Sequence, residues 1–172
     1  ADTGMHLPDF RAAERSFQLL TQVAGRSGRG TTPGEVVIQT LLPDAAVLRT
    51  AAAQDFAGFA AAELAERREA GFPPYGRLAL LRWLGKDERQ VEAAARQGAE
   101  LVRGAAGAPL QVHGPAPAPL ARLRGRYRYH ALLCGGAAGQ LHRAVDWALP
   151  QLRAACPSSV ELAVNVDPVT MM

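Results

Sequence analysis

Cysteine and lysine are both scarce in this chain. Cys134 and Cys156 are the only cysteines among 172 residues and show no CxxC spacing. That excludes a zinc-ribbon pattern and a disulfide framework, and it predicts a reduced, cytoplasmic setting. Lys86 is the only lysine, so every other basic residue is an arginine. No run approaches the roughly 18 apolar residues of a membrane span, and no leader pattern opens the chain, so no membrane partner is expected. A phosphate-cradling loop of the form GxxxxGK[ST] is also missing: Gly85-Lys86 is followed by Asp87 and preceded by no glycine loop. This stretch therefore binds no ATP by itself. No nucleophile–base pair or cofactor loop supports a hydrolase or an oxidoreductase. His113, His130 and Cys134 fall short of the three or four converging ligands of a metal site, so no metal is expected.

Acid is missing in one particular place. Residues 1–75 carry seven arginines against nine carboxylates, whereas residues 76–172 carry twelve basic groups against seven acids. Between Glu100 and Asp146 there is no acid at all, and six arginines lie there. Basicity confined to one segment is the pattern of a surface meeting a polyanion.

What is present follows a readable order. After Pro8-Asp9, the residues Phe10, Ala13, Phe17, Leu20 and Ala24 recur at helical spacing, and glycines from Gly25 onward break the pattern. Glu35–Leu41 predicts a buried strand. From Pro43-Asp44 a helical stretch runs through Phe59 to Gly71 and Pro73-Pro74, where a rigid hinge is expected. Beyond the prolines come a strand at 77–85, a helix capped by Asp87, a short strand at 110–114 and a proline-rich lead into a third strand from Tyr127. A glycine turn, a second helix and the alternating strand 160–167 follow. The order β-α-β-β-α-β predicts a ferredoxin-like domain. One strand among the first seventy-odd residues cannot make a sheet, so that part is expected to be the tail of a domain lying mostly upstream.

The segment QVAGRSGRG places Arg26 and Arg29 three apart, each directly after a glycine, behind an amphipathic helix that carries Gln22. Glycine lets a backbone approach closely, and a forked guanidinium suits a phosphate. QVAGRSGR resembles the last conserved motif of superfamily 2 helicases, on the second RecA-like lobe. Further stretches, PDFRAAERSFQLLTQVAGRSGRG, GEVVIQT, LAERREAGFPPYGRLALLR, HGPAPAPLARLRGRYRYHALL and VNVDPV, resemble in order the C-terminal quarter of the bacterial primosomal protein N-prime family of replication-restart helicases. The resemblance implies an α/β and α+β chain. Residues 1–45 would end RecA-like lobe 2, 46–75 would form a helical connection, and 76–172 a ferredoxin-like DNA-binding domain. It also implies that Arg26 and Arg29 act as arginine fingers, with Gln22 beside them, on ATP and magnesium held by the parent's other lobe. The family's zinc cysteines would lie upstream.

The second basic feature is LARLRGRYRYH, which puts Arg122, Arg124, Arg126 and Arg128 at alternate positions. On an extended chain such residues share a face at a spacing of about 6.6–7 Å, close to the phosphate repeat of one nucleic-acid strand. Tyr127 and Tyr129 fall on the other parity, to pack inward or to stack on an unpaired base. Charged protection of a sheet edge does not require four residues of one sign with no acid nearby. The expected function is part of a replication-restart helicase that recognises branched DNA and, in its parent, couples ATP to 3'-to-5' unwinding. Single-stranded-DNA-binding protein and other primosome proteins are the implied partners. A non-enzymatic nucleic-acid-binding or primosome protein-docking module is the alternative.

Overall fold

The computed structural model describes residues 2–5, 7–27, 35–105 and 110–171, the side chains of Thr3 and Ala105 excepted. The chain divides into two compact units, Ala1–Arg67 and Arg68–Met172.

The first unit is helical. Helices α1 (Asp2–Met5), α2 (Ala12–Ala24), α3 (Ala46–Ala52) and most of α4 (Phe56–Glu69) bury Phe17, Val47, Leu48, Ala51 and Phe59 together. The rings of Phe17 and Phe59 stack with centroids 4.3 Å apart. Asp9, buried before α2, accepts hydrogen bonds from the Arg11 amide at 3.0 Å and from Arg15 Nη1 at 2.9 Å. The helical stretch expected to run unbroken from Pro43 is interrupted at Ala53–Asp55. Gln54 takes the left-handed conformation (φ 52°), and Asp55 restarts the helix by accepting the Gly58 amide at 2.8 Å. Gly71, at φ 66°, follows the end of α4 in the position that glycine favours.

The strand expected over Glu35–Leu41 is not formed. Residues 35–40 alternate between exposed and half-buried and belong to no ladder. A strand needs a neighbour for its amides and carbonyls, and none lies in this unit among the described residues. Ile38 packs on the helical core, Asp2 holds the segment's end through Thr40 and the Leu41 amide, and Val37 and Leu41 remain 85% and 87% exposed.

The second unit runs β1 (Arg77–Gly85), α5 (Glu88–Ala105), β2 (Gln111–Leu123), β3 (Arg126–Gly135), α6 (Ala138–Ala155) and β4 (Val160–Val166). The four strands lie in the order β2-β3-β1-β4, and every neighbouring pair is antiparallel. Period-two alternation sends Ala79, Leu81, Trp83, Tyr129, Ala131, Leu133 and Val160 to one face. There they meet Val91, Ala95 and Val102 of α5 and Leu141, Ala148 and Leu152 of α6. Asp87 caps α5 as expected, accepting the Gln90 amide at 3.1 Å. Gly98 lets α5 approach the sheet, because a Cβ there would lie 2.5 Å from Trp83 Cζ2.

The proline-rich PAPAP segment is strand, not lead-in. It lies within β2, whose ladder with β3 is irregular between His113 and Ala116 and again between Pro117 and Arg122. An edge position explains why prolines are accommodated, since only one side of an edge strand must pair.

Candidate nucleic-acid interface

The basic hairpin is built by β2, β3 and a two-residue turn. Arg124 and Gly125 both have positive φ, 50° and 76°, the geometry that matches the twist of two tightly joined strands. The chain therefore reverses in the middle of the arginine series. Arg122 ends β2, Arg124 occupies the turn, and Arg126 and Arg128 begin β3, so the four do not form the single-strand row that their spacing predicts.

Each arginine has its own surroundings. Arg122 and Arg124 are exposed. Arg122 faces Tyr127 across the ladder and lays its guanidinium over that ring, 5.1 Å from the centroid. Arg126 reaches the edge of β4, where Nη2 donates to Glu161 Oε2 at 2.7 Å. Arg128 is only 6% exposed. Between Pro117 and Arg122 four residues of β2, 118–121, stand opposite this single residue of β3, and Arg128 Nη1 donates to the Leu120 carbonyl at 3.4 Å. Burial pushes its pKa down, and Arg82 adds to the effect. Tyr129 packs in the core on the helix side of the sheet, the inward one of its two expected positions, while Tyr127 is half-buried beneath Arg122.

Two functional candidates escaped the sequence reading. Arg82 sits in a strand that reads as apolar on both faces, and His130 reads as structural. The register pairs them directly across β1 and β3, on the face turned away from the helices, with Arg128 two residues from His130 on that same face. The signal lay in the alternation of RLALLRWLG, but only the register shows which residue Arg82 meets.

In the first unit, Gln22 and Arg26 are exposed at the C-terminal end of α2, one turn apart. The Arg26 amide donates to the Val23 carbonyl at 3.1 Å, which keeps the residue in a turn continuing the helix. Arg29 lies outside the described residues. Among the described residues, no helix is long and apolar enough to cross a membrane, and no group of His, Cys, Asp or Glu gathers as metal ligands would.

A sequence family described as the primosomal protein N C-terminal domain matches residues 68–169, which is the whole sheet-bearing unit but for its last residues. The chain belongs to that family. It is 40% identical over 173 residues to the replication restart protein PriA of Synechocystis, with 99% of this chain and 20% of the relative aligned. Identity to the PriA of Bacillus subtilis is 41% over 133 residues, covering 77% of this chain and 16% of that protein. To the PriA of Treponema pallidum it is 38% over 172 residues, covering 100% and 26%. The chain thus spans about a quarter or less of these relatives' length.

Proposed function

We propose that this chain is the C-terminal part of a replication-restart DNA helicase and that its second unit holds branched DNA by the phosphate backbone. The relatives' shared name and their alignment across both units support the replication-restart role. One observation carries the DNA reading: an exposed hairpin tip presents Arg122 and Arg124 in a segment without acids from Glu100 to Asp146. Arginine forks fit phosphate oxygens, and nothing in the hairpin dictates base reading, so recognition is of shape and charge. Arg126 extends the surface by exchanging Glu161 for a phosphate. Arg128, enclosed under residues 118–121, and Tyr129, in the core, would shape the hairpin from beneath, and Tyr127 would hold Arg122 in place.

The order β-α-β-β-α-β with sheet order β2-β3-β1-β4 supports a ferredoxin-like assignment for this unit. For the first unit, the reading as the end of a RecA-like lobe rests on the QVAGRSGR motif. In the parent, Arg26 and Arg29 would donate to the γ-phosphate of ATP held with magnesium by another lobe, and Gln22 would help place it. Such fingers stabilise the charge that spreads over the transferring phosphoryl group. This chain supplies those donors and no phosphate loop; zinc would belong upstream. Branched DNA, single-stranded-DNA-binding protein and other primosome proteins complete the reading, in the cytoplasm.

The test is fluorescence anisotropy of the chain with forked and linear duplex DNA across a salt series. Arg122→Ala/Arg124→Ala should weaken fork binding about tenfold and flatten the salt slope by roughly 2, one for each lost phosphate contact. An unchanged affinity and slope would remove the hairpin tip from DNA binding.

A further inference from the structure

The tip of the arginine hairpin carries apolar side chains in solvent. Leu120 and Leu123 are 51% and 47% exposed, and both lie within the last four residues of β2. The irregular stretch before the turn buries its alanine and exposes its leucine: Ala118 is 4% exposed, two residues before Leu120. Hydrophobic burial alone favours the reverse, because leucine has far more apolar surface to remove from water. β2 is also an edge strand, where exposed leucines invite unwanted pairing and charge is the usual protection. A partner that covers the two leucines accounts for their position.

What surrounds them narrows that partner. Leu123 stands opposite Arg126 across the ladder and is followed by Arg124 in the turn, and Arg122 comes two residues after Leu120. Between Glu100 and Asp146 the chain has no acid, and Glu161 of β4 is already bound to Arg126 at 2.7 Å. Arg122 rests over the Tyr127 ring, 5.1 Å from its centroid, and a guanidinium placed in this way keeps its in-plane donors for other acceptors. Leucines interleaved with arginines fit a partner whose apolar face is bordered by negative charge. Nucleic acid has this arrangement wherever base stacking ends, because the last base pair shows its flat face with phosphates on either side. Inside a continuous duplex the next pair covers that face.

We propose that Leu120 and Leu123 give the hairpin a preference for branched DNA, by packing on the base-pair face that a branch uncovers while Arg122 and Arg124 hold the flanking phosphates. Such packing rests on the proposed binding of DNA by the hairpin, and it adds the residues that make that binding structure-specific. Three residues of chain span at most about 11 Å, so both leucines can meet one base pair. Aliphatic side chains serve in this way where proteins open a base step. The contact is tolerant of sequence, because every base offers a face. Affinity and preference then have separate sources. The arginines supply salt-dependent affinity for any duplex, and the leucines supply a difference between branch and continuous duplex that salt hardly changes.

Fluorescence anisotropy of the whole chain tests this with a forked DNA and with a duplex whose ends are closed by tight loops. The wild type should bind the fork about tenfold more tightly than the closed duplex. Leu120→Ser/Leu123→Ser should bring that ratio close to one and leave the duplex affinity and its salt slope unchanged, which also shows that the variant is folded. Leu120→Met/Leu123→Met, equally apolar, should keep the ratio. 2-Aminopurine placed in the branch base pair should change its fluorescence with the wild type and the methionine variant and not with the serine variant. A serine variant that keeps both the ratio and the fluorescence change would overturn the proposal, as would a wild type that binds the two DNAs alike. Arg122→Ala/Arg124→Ala separates this from a failure of the DNA reading. If that variant loses affinity for both DNAs while the serine variant keeps its fork preference, the DNA reading stands and the leucines are not the source of the preference. If the wild type binds neither DNA, the DNA reading fails and the proposal with it.

Discussion

Arg122 lays its guanidinium over Tyr127 in solvent, whereas Arg128 is enclosed beneath a bulge of the same hairpin. Both are arginines on one short segment, and burial alone separates their chemistry. The neighbouring His130 carries a testable consequence. Its folded pKa lies below the ordinary value of 6.5, through burial first and then the charges of Arg128 and Arg82. The unfolded chain therefore binds the imidazole proton more readily than the folded one, and stability rises with pH in this window. In anion-free buffer, stability should be full above about pH 7 and fall as pH drops through 6.5 toward the depressed folded value. Urea unfolding at closely spaced pH values should show this slope in the wild type and its loss in His130→Gln. A slope that persists in the variant would assign it to another group.

At the scale of elements, α5 and β1 meet through a residue with no side chain. A Cβ at Gly98 would sit 2.5 Å from Trp83 Cζ2 and 3.1 Å from Leu152 Cδ2. Alanine would gain about 1 kcal/mol of helix propensity there. Overpacking a filled core costs about 1–3 kcal/mol, and Trp83, among the largest fully buried side chains, has nowhere to move. Gly98→Ala should therefore destabilise the chain by up to roughly 2 kcal/mol, read from denaturant unfolding. The second element that matters is β2. Its prolines lead a reader to break the strand at Gly114, yet the strand continues to Leu123 because it is an edge and irregularities absorb the mismatch. Nothing local says that Ala116 and Pro117 pair with β3.

On the scale of the whole molecule, the two units differ in how far they complete themselves. The second closes a core between one sheet and two helices. The first packs helices around Phe17 and Phe59 but leaves residues 35–40 without a ladder and Val37 and Leu41 in solvent. Hydrogen exchange should separate them. Amides of 35–41 should exchange within the earliest time points, those of β1 and the central part of β3 last, and those of α2 and α4 between. Protection at 35–41 matching that of β1 would mean that this segment is paired in solution.

The sequence by itself determined the order of elements in the second unit, the cap at Asp87 and the family. Each depends on short-range periodicity or on residues that are informative in isolation. Tertiary structure alone decided the rest. The strand expected at 35–41 fails because a strand is a relation between two segments, and its partner is not among the described residues of this unit. The arginine row divides because a turn at Arg124-Gly125 folds it in two and a bulge of β2 covers Arg128. Arg82 meets His130 across two strands that α5 and β2 separate in the chain. Only the register of β1 against β3, set by which faces must be buried, brings them together.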